Sequence, residues 1–127
     1  MERLSIGEVA RRAGIAASAL RYYESEGLVP PPERSSGRRV YETVVLARLA
    51  LIALLQRAGF TVAEMRTFLT EFPAEAPPSE RWQTLASRKL PEVEALIARA
   101  TAMKEILERG LACECPTMEE CARMGCL

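Results

Sequence analysis

The sequence predicts a mainly α-helical fold, in which a small head domain of short helices precedes one long amphipathic helix. Three observations in the 127 residues carry this prediction. Short segments with helical apolar spacing are bounded by Ser or Thr capping sequences, by glycine, or by both. Three consecutive prolines, 30–32, interrupt them. After residue 79, apolar residues recur every three or four positions up to Leu111.

The first two elements are short helices joined by a glycine turn. Ser5 to Glu8 reads Ser-Ile-Gly-Glu, a capping box that starts a helix, and Gly14 ends that helix as a left-handed cap. A second helix is expected from about Ala17 to Glu26, where Gly27 stops it. Two short helices with a tight turn between them predict a helix-turn-helix.

A basic hairpin is predicted to follow the second helix. Pro30 to Pro32 force an extended backbone, because proline fixes φ and lacks an amide hydrogen. The segment from Glu33 to Tyr41 then offers a turn at Ser36-Gly37 between two short strand candidates. A small wing rich in arginine is the expected result.

Two further helices are expected to complete the head domain. Thr43 can cap the third helix, which ends at Gly59 and is dense in apolar residues expected to form the core: Val44, Leu46, Leu49, Leu51, Ile52, Leu54 and Leu55. Thr61 to Glu64 is a second capping box, which opens a fourth helix from Val62 to about Phe72. Its apolar face is expected to comprise Met65, Phe68, Leu69 and Phe72.

A long helix is predicted from Ser79 to about Ala112. Its apolar positions are spaced as in a coiled-coil seam that is broken once, at Lys104: Ala86, Leu90, Val93, Ile97, Ala100, Leu107 and Leu111. Such a helix cannot bury its stripe alone, so a homodimer is expected. Pro91 predicts a kink or a restart near Leu90.

These elements divide the chain into four parts. Residues 1–72 are the predicted winged helix-turn-helix domain, 73–78 a linker, 79–112 the dimerisation helix and 113–127 a cysteine-rich tail. No apolar run approaches the roughly 20 residues that a membrane span requires. The N-terminus also lacks the apolar region of a signal peptide. A cytoplasmic protein with no membrane partner is therefore expected.

The charge distribution favours a nucleic-acid partner for the head domain. The formal net charge is zero, but residues 1–58 carry nine arginines against six glutamates. A helix-turn-helix with a basic wing places its second helix in the major groove and the wing on adjacent backbone. The candidate DNA-binding residues are Ser18, Arg21, Tyr22 and Tyr23 on the second helix and Arg34, Arg38, Arg39 and Tyr41 in the wing. The alternative is that one tyrosine packs on Leu54 or Leu55 and that the arginines form a solvated face.

All four cysteines lie in the last fifteen residues, at Cys113, Cys115, Cys121 and Cys126, and the chain has no histidine. Closely spaced thiolates can converge on one soft metal ion or an iron–sulfur cluster with little loop-closure entropy. Disulfides in any of three pairings, or an inert tail, are the alternatives. An enzyme is not expected, because the chain lacks histidine and aspartate and shows no nucleophile–base pair.

Four segments closely resemble the MerR family of bacterial transcription regulators: Ser5 to Ile15, Leu20 to Leu28, Arg38 to Tyr41 and Gln56 to Met65. The resemblance implies a winged helix-turn-helix domain and a homodimer formed by an antiparallel coiled coil of the long helices. It also implies an effector site where the long helix ends. Family members deform palindromic promoter DNA, and so act on RNA polymerase indirectly, through the promoter.

Within the family, the cysteine spacing resembles several kinds of site. Cys113-x-Cys115-x5-Cys121 is similar to the last three cysteines of the SoxR iron–sulfur motif, but Gly110 stands where the first would be, so Cys126 would supply the fourth ligand. Ser79 stands where mercury, zinc and cadmium sensors have a cysteine. Copper(I) sensors use two thiolates, which resemble Cys113 with Cys121. The implied cofactor is a metal ion such as copper(I) or zinc, or an iron–sulfur cluster.

The leading hypothesis is a DNA-binding transcription regulator that distorts promoter DNA in response to a metal ion or a redox signal at its C-terminal cysteines. The alternative is a constitutive DNA-binding regulator or architectural protein whose cysteines have no sensory role. A metal-buffering or thiol-exchange protein is disfavoured, because the basic wing and the capped helices would then have no purpose.

Overall fold

The computed structural model describes residues 3 to 124 and is mainly helical, as predicted. The elements are β1 (Arg3–Ser5), α1 (Ile6–Ala13), α2 (Ala17–Ser25), β2 (Glu33–Ser35), β3 (Arg38–Glu42), α3 (Val44–Arg57), α4 (Val62–Thr70), α5 (Pro78–Leu111) and α6 (Met118–Met124). They form two compact units, Met1–Leu85 and Ala86–Leu127. The first unit therefore includes the predicted linker and the first two turns of α5.

The predicted helix-turn-helix is confirmed. The Ser5 hydroxyl accepts a hydrogen bond from the Glu8 amide at 3.2 Å and starts α1. Gly14 ends that helix with a φ of 71°, in the left-handed region that glycine adopts without steric cost. Leu20 anchors α2 in the core and is fully buried.

The wing is part of a three-stranded antiparallel sheet with strand order β1-β3-β2. The β2–β3 hairpin turns at Ser36 and Gly37, whose φ values of 52° and 79° are those of a two-residue type I′ turn. The strand β1 was not predicted, because three residues are too few to show alternation. Its Leu4 is buried and pairs with Tyr41 on β3.

The core of the first unit centres on one face of α3, formed by Val45, Leu49, Ile52 and Leu55. Two residues predicted for the core are instead exposed, Val44 by 65% and Leu54 by 47%. The correction has a simple cause: α3 is apolar on almost every side, so its pattern does not show which face is buried. The Thr43 side chain makes no capping hydrogen bond, although the helix does begin after it.

The start of α5 is bound to the end of α4. The Arg81 guanidinium donates to the carbonyls of Phe68 at 2.9 Å and Ala76 at 3.0 Å, so it closes the connection between the two helices. Trp82 contacts Phe60 and Phe68 edge to face, with ring centroids 5.9 and 5.1 Å apart. These contacts explain why the first compact unit extends to Leu85, which is buried.

The predicted long helix is present as α5, and it is continuous through Pro91. The predicted restart near Leu90 is therefore wrong: the helix continues past Pro91 and loses only the one backbone hydrogen bond that the proline cannot donate. The predicted kink stays a prediction. Large apolar side chains along the helix are exposed, including Leu90, Ile97 and Leu107 by 60%, 60% and 68%. No helix within residues 3–124 is long and apolar enough to cross a bilayer.

The tail contains a short helix that was not predicted. In α6, the Thr117 hydroxyl accepts from the Glu120 amide at 3.1 Å and thereby caps the first turn. The sequence signal was present, since Thr117-Met-Glu-Glu120 has the spacing of a capping box.

Candidate functional site: a basic surface and a thiol cluster

Helix α2 presents one polar face. Ser18, Arg21 and Tyr22 are all exposed, and their spacing of three and four residues places them side by side on one face. Leu20 and Tyr23 lie on the opposite side, against the core. The exposed face can therefore carry hydrogen-bond donors into a groove while the buried one holds the helix in place.

Two of the predicted DNA-binding tyrosines are packing residues. Tyr23 is half-buried, and its hydroxyl accepts a hydrogen bond from Gln56 Nε2 at 3.2 Å. Tyr41 is only 3% exposed, and its hydroxyl donates to the Glu24 carboxylate. Burial, and then the bond to Glu24, raise the pKa of Tyr41. Alternation along β3 turns the Tyr41 side chain inward, and its contact with the DNA backbone stays a prediction.

The wing exposes arginines next to the turn. Arg34 and Arg38 are exposed, and Arg34 Nη1 donates to the Gly37 carbonyl at 3.1 Å. Arg39 is partly buried, with its Nε 3.4 Å from a Glu24 carboxylate oxygen, a contact too poorly aligned to count as a hydrogen bond. Arg34 and Arg38 can reach a phosphate directly, whereas Arg39 ties the wing to α2.

Side chains that were not predicted from the sequence hold the basic surface in place. Glu24 joins α2 to the wing through Tyr41 and Arg39. Arg66 on α4 donates to the Glu26 carbonyl at 2.8 Å and pairs with the Glu26 carboxylate at 3.0 Å. The only signal of these contacts in the sequence was the presence of Glu24 and Glu26 in an arginine-rich segment. Their partners lie too far along the chain for residue spacing to indicate the pairing.

Three cysteines of the tail meet. The sulfur atoms of Cys113, Cys115 and Cys121 all lie within 4.8 Å of one another, and each residue is partly buried. The Cys115 amide also donates to Cys113 Sγ at 3.5 Å, which fixes the first two cysteines relative to each other. Thiolates bind zinc at about 2.3 Å, so three sulfurs around one ion stand about 4 Å apart, within the limit that the three thiols meet. The three thiols therefore fit one soft ion.

Local backbone structure brings the three sulfurs together. The Cys113 amide donates to the Gly110 carbonyl at 3.1 Å and so turns the chain just past α5. The Cys121 amide donates to the Thr117 carbonyl at 3.1 Å in the first turn of α6, which carries Cys121 back to the other two. Cys126, the fourth predicted ligand, lies outside the described residues.

Comparison with known families gives the context of both sites. Residues 4–71 match the MerR HTH family regulatory protein model, and residues 46–109 match the family model described as MerR, DNA binding. The chain belongs to the MerR family. Its head domain, with the winged helix-turn-helix, is the DNA-binding part of a MerR-type transcriptional regulator.

Individual MerR family members match almost the whole chain. The HTH-type transcriptional regulator CueR of Vibrio cholerae serotype O1 is 32% identical over 133 residues, covering 92% of this chain and 90% of its own length. The SoxR homolog of Chromobacterium violaceum, an HTH-type transcriptional activator, is 27% identical over 119 residues, covering 93% and 80%. The transcription regulator PbrR691 from Ralstonia metallidurans CH34, solved in complex with lead(II), is 30% identical with a TM-score of 0.72, covering 93% and 94%.

Proposed function

We propose that the chain binds promoter DNA through one face of α2 and through the wing. Ser18, Arg21 and Tyr22 would enter the major groove, because they are exposed side by side on the second helix of the helix-turn-helix. Arg34 and Arg38 would contact phosphates beside that groove. Tyr23, Arg39 and Tyr41 would act mainly by fixing the geometry of the surface, because their side chains are engaged within the domain.

The regulatory step would be a change in DNA shape. Two head domains of a homodimer bend and untwist the DNA between their half-sites, and the energy of that deformation depends on how the heads are held. A ligand that prefers one arrangement of the dimer shifts the population toward it. RNA polymerase would respond to the shape of the promoter, and the chain would work where the DNA is, in the cytoplasm.

The ligand of this switch would be a soft metal ion bound by Cys113, Cys115 and Cys121. One observation carries this proposal: three sulfurs within 4.8 Å of one another, on a chain whose family regulates transcription. Thiolates select soft ions over magnesium or calcium. PbrR691, which shares 30% of its residues with this chain, was solved with lead(II). Copper(I), zinc and lead(II) are thus the ions to test first.

A metal titration under anaerobic, reducing conditions tests the site. We expect one ion per protomer, with ultraviolet thiolate-to-metal charge-transfer absorption. Affinity should fall by at least about 10- to 100-fold when any one of the three cysteines becomes serine, since loss of an outer-shell partner alone costs that much. Met118→Ala is the matched control, because Met118 is 87% exposed in the same segment. Equal metal affinity in the wild type and in all three serine variants would rule the site out.

An iron–sulfur cluster is the second candidate, favoured by the spacing Cys113-x-Cys115-x5-Cys121. A cluster held by four cysteines would need Cys126 as well. Protein purified without oxygen distinguishes the two: visible absorption with stoichiometric iron and sulfide supports the cluster, whereas colourless protein with stoichiometric zinc or copper supports the single ion.

A further inference from the structure

Within residues 3–124, the thiol cluster offers three sulfur ligands and no carboxylate. Cys113, Cys115 and Cys121 lie with their sulfurs within 4.8 Å of one another, and no carboxylate oxygen of this part of the chain joins them at that distance. The chain has no histidine, so a ring nitrogen cannot complete the set. Zinc in structural sites is almost always four-coordinate. Three sulfurs alone therefore suit best an element that forms three bonds to sulfur and needs no fourth ligand.

The segment that carries the cluster is acidic. Residues 112–124 contain three glutamates and a single arginine. Glu114 stands between the first two cysteines in the sequence, and Glu120, which is partly buried, directly precedes Cys121. Like charges that lie close together repel each other, more strongly where solvent is partly excluded. A bound group that adds no negative charge is therefore favoured at this site.

The valence of the bound element sets the charge of the complex. Three thiolates around a monovalent ion carry two net negative charges, around a divalent ion one, and around a trivalent centre none. Trivalent arsenic and antimony are soft, form three bonds to sulfur in a pyramid and keep a lone pair in place of a fourth ligand. At equal bond length, a pyramid holds its sulfurs closer together than a flat three-sulfur site does, so the spacing of the three thiols accommodates it.

We propose that Cys113, Cys115 and Cys121 bind trivalent arsenic or antimony, which reaches them as the neutral trihydroxide. Three bonds from the metalloid to oxygen break and three bonds to sulfur form. Each thiol gives its proton to a leaving hydroxide, so three waters are released and no element changes its oxidation state. This ligand class rests on the proposed function, in which the same thiols form the effector site, and extends the ligands of that site beyond metal ions.

Titration of the full-length, reduced, metal-free protein with sodium arsenite tests this binding. We expect one arsenic per protomer in native mass spectrometry, with a mass gain of one arsenic atom less three hydrogens. Three of the four cysteines should then resist alkylation by iodoacetamide, so that Cys126 alone is labelled. Zinc should compete with arsenite, because both would use the same sulfurs.

Single serine variants identify the ligands. Cys115→Ser leaves two sulfurs of the three, and we expect arsenite affinity to fall at least about tenfold, the smallest loss expected when a metal site loses a supporting group. Cys126→Ser changes a cysteine outside the described residues and is the matched control. It should bind arsenite as tightly as the wild type does.

Glu120→Gln tests the role of charge. Zinc displaces three thiol protons with two positive charges, so the site gains one negative charge, whereas arsenite leaves its charge unchanged. We therefore expect zinc affinity to rise about two- to fivefold in Glu120→Gln, the size of a surface charge interaction. Arsenite affinity should stay the same, because the neutral complex is not repelled by the carboxylate.

Four results would overturn the proposal. Binding of zinc, copper(I) or lead(II) without binding of arsenite would do so and leave the proposed metal site standing, whereas no binding of any of them would remove both. An equal loss of arsenite affinity in Cys126→Ser and Cys115→Ser would mean that a different set of sulfurs holds the ligand. A loss of zinc affinity in Glu120→Gln would mean that this carboxylate is a fourth ligand, so that the site is not built from sulfur alone.

Discussion

At the scale of single residues, Arg21 is the side chain on which the proposed DNA contact most depends. It is exposed between Ser18 and Tyr22 on the polar face of α2, and an arginine there can reach a guanine edge or a phosphate. We expect Arg21→Ala to weaken binding to promoter DNA by about 1–3 kcal/mol. Fluorescence anisotropy at several salt concentrations measures this.

The same salt series also shows whether Arg21 contacts a phosphate or a base. Loss of a phosphate contact lowers the slope of log affinity against log salt by about 1, whereas loss of a base contact leaves it nearly unchanged. Arg99→Ala removes an exposed arginine from α5 and serves as the control. If the two variants bind promoter DNA equally well, α2 is not the recognition helix.

Tyr41 links residue chemistry to the stability of the wing. Its buried hydroxyl donates to Glu24, so Tyr41→Phe should lower the free energy of unfolding by about 1 kcal/mol. Urea denaturation measures the change. Tyr22→Phe, at a ring that is 47% exposed, should have almost no effect. A Tyr41→Phe variant as stable as the wild type would show that the bond to Glu24 adds nothing.

The raised pKa of Tyr41 also predicts the pH dependence of stability. In the unfolded chain the hydroxyl ionises near its ordinary pKa of 10.0, whereas the folded domain resists ionisation. The contribution of this group is therefore complete below about pH 10 and is lost as the pH rises further. Melting temperatures between pH 8 and 11 should fall more steeply for the wild type than for Tyr41→Phe. Parallel curves of melting temperature against pH for the two proteins would contradict this pH dependence.

Residue roles were only partly predictable from the sequence. Ser18, Arg21 and Tyr22 were predicted together with Tyr23, and the structure, in which Leu20 is buried, shows that the first three are the exposed ones. The positions of Tyr41 and Glu24 did not, because their contact joins residues 17 positions apart through the sheet. The thiol triad was predictable because its members are local in sequence, and local segments bring them together.

At the scale of elements, the wing depends on its turn. Gly37 has a φ of 79°, and an added Cβ would meet nothing within 4 Å, so the cost of Gly37→Ala is backbone strain alone. We expect a loss of about 1 kcal/mol in stability and weaker DNA binding. Gly110→Ala is the matched control, with equally open space inside helix α5, and should be neutral or slightly stabilising. If Gly110→Ala lowered stability more than Gly37→Ala does, the assigned turn would be contradicted.

We propose that α5 is the dimerisation element, because it carries an exposed apolar stripe. Ile97 is 60% exposed in the described chain and belongs to the seam that a second helix would cover. Ile97→Glu should shift the protein toward monomer in analytical ultracentrifugation, whereas Ala102→Glu, on the opposite face of the helix, should not. Promoter affinity should fall as the dimer is lost, because the two head domains are then no longer linked when they bind the two half-sites. A fully dimeric Ile97→Glu protein would contradict this role.

Elements were predicted well where sequence signals are local. Capping residues and glycines gave the boundaries of α1, α2 and α4 to within about two residues. The strand β1 was missed because only its pairing with β3 defines it. The buried face of α3 could not be read either, because leucine and alanine occur all round that helix and only tertiary packing selects a side.

At the scale of the whole molecule, the proposed regulator combines a head domain that binds DNA, a helix that would form the dimer and a thiol cluster that follows this helix in the chain. The central claim is that metal at Cys113, Cys115 and Cys121 changes what the bound protein does to promoter DNA. A ligand can shift the protein between states only by its differential affinity for them. The effect of metal must therefore depend on the cysteines, while DNA affinity itself need not.

Run-off transcription from the protein's own promoter tests this claim most directly. Wild-type dimer and a variant with Cys113, Cys115 and Cys121 all changed to serine are compared at saturating occupancy, each with and without copper(I), zinc or lead(II). We predict that at least one ion changes transcript yield with the wild type and none does with the variant, while both protect the same DNA in a footprint. An identical response of both proteins, or no response of the wild type to any of the three ions, would contradict the account.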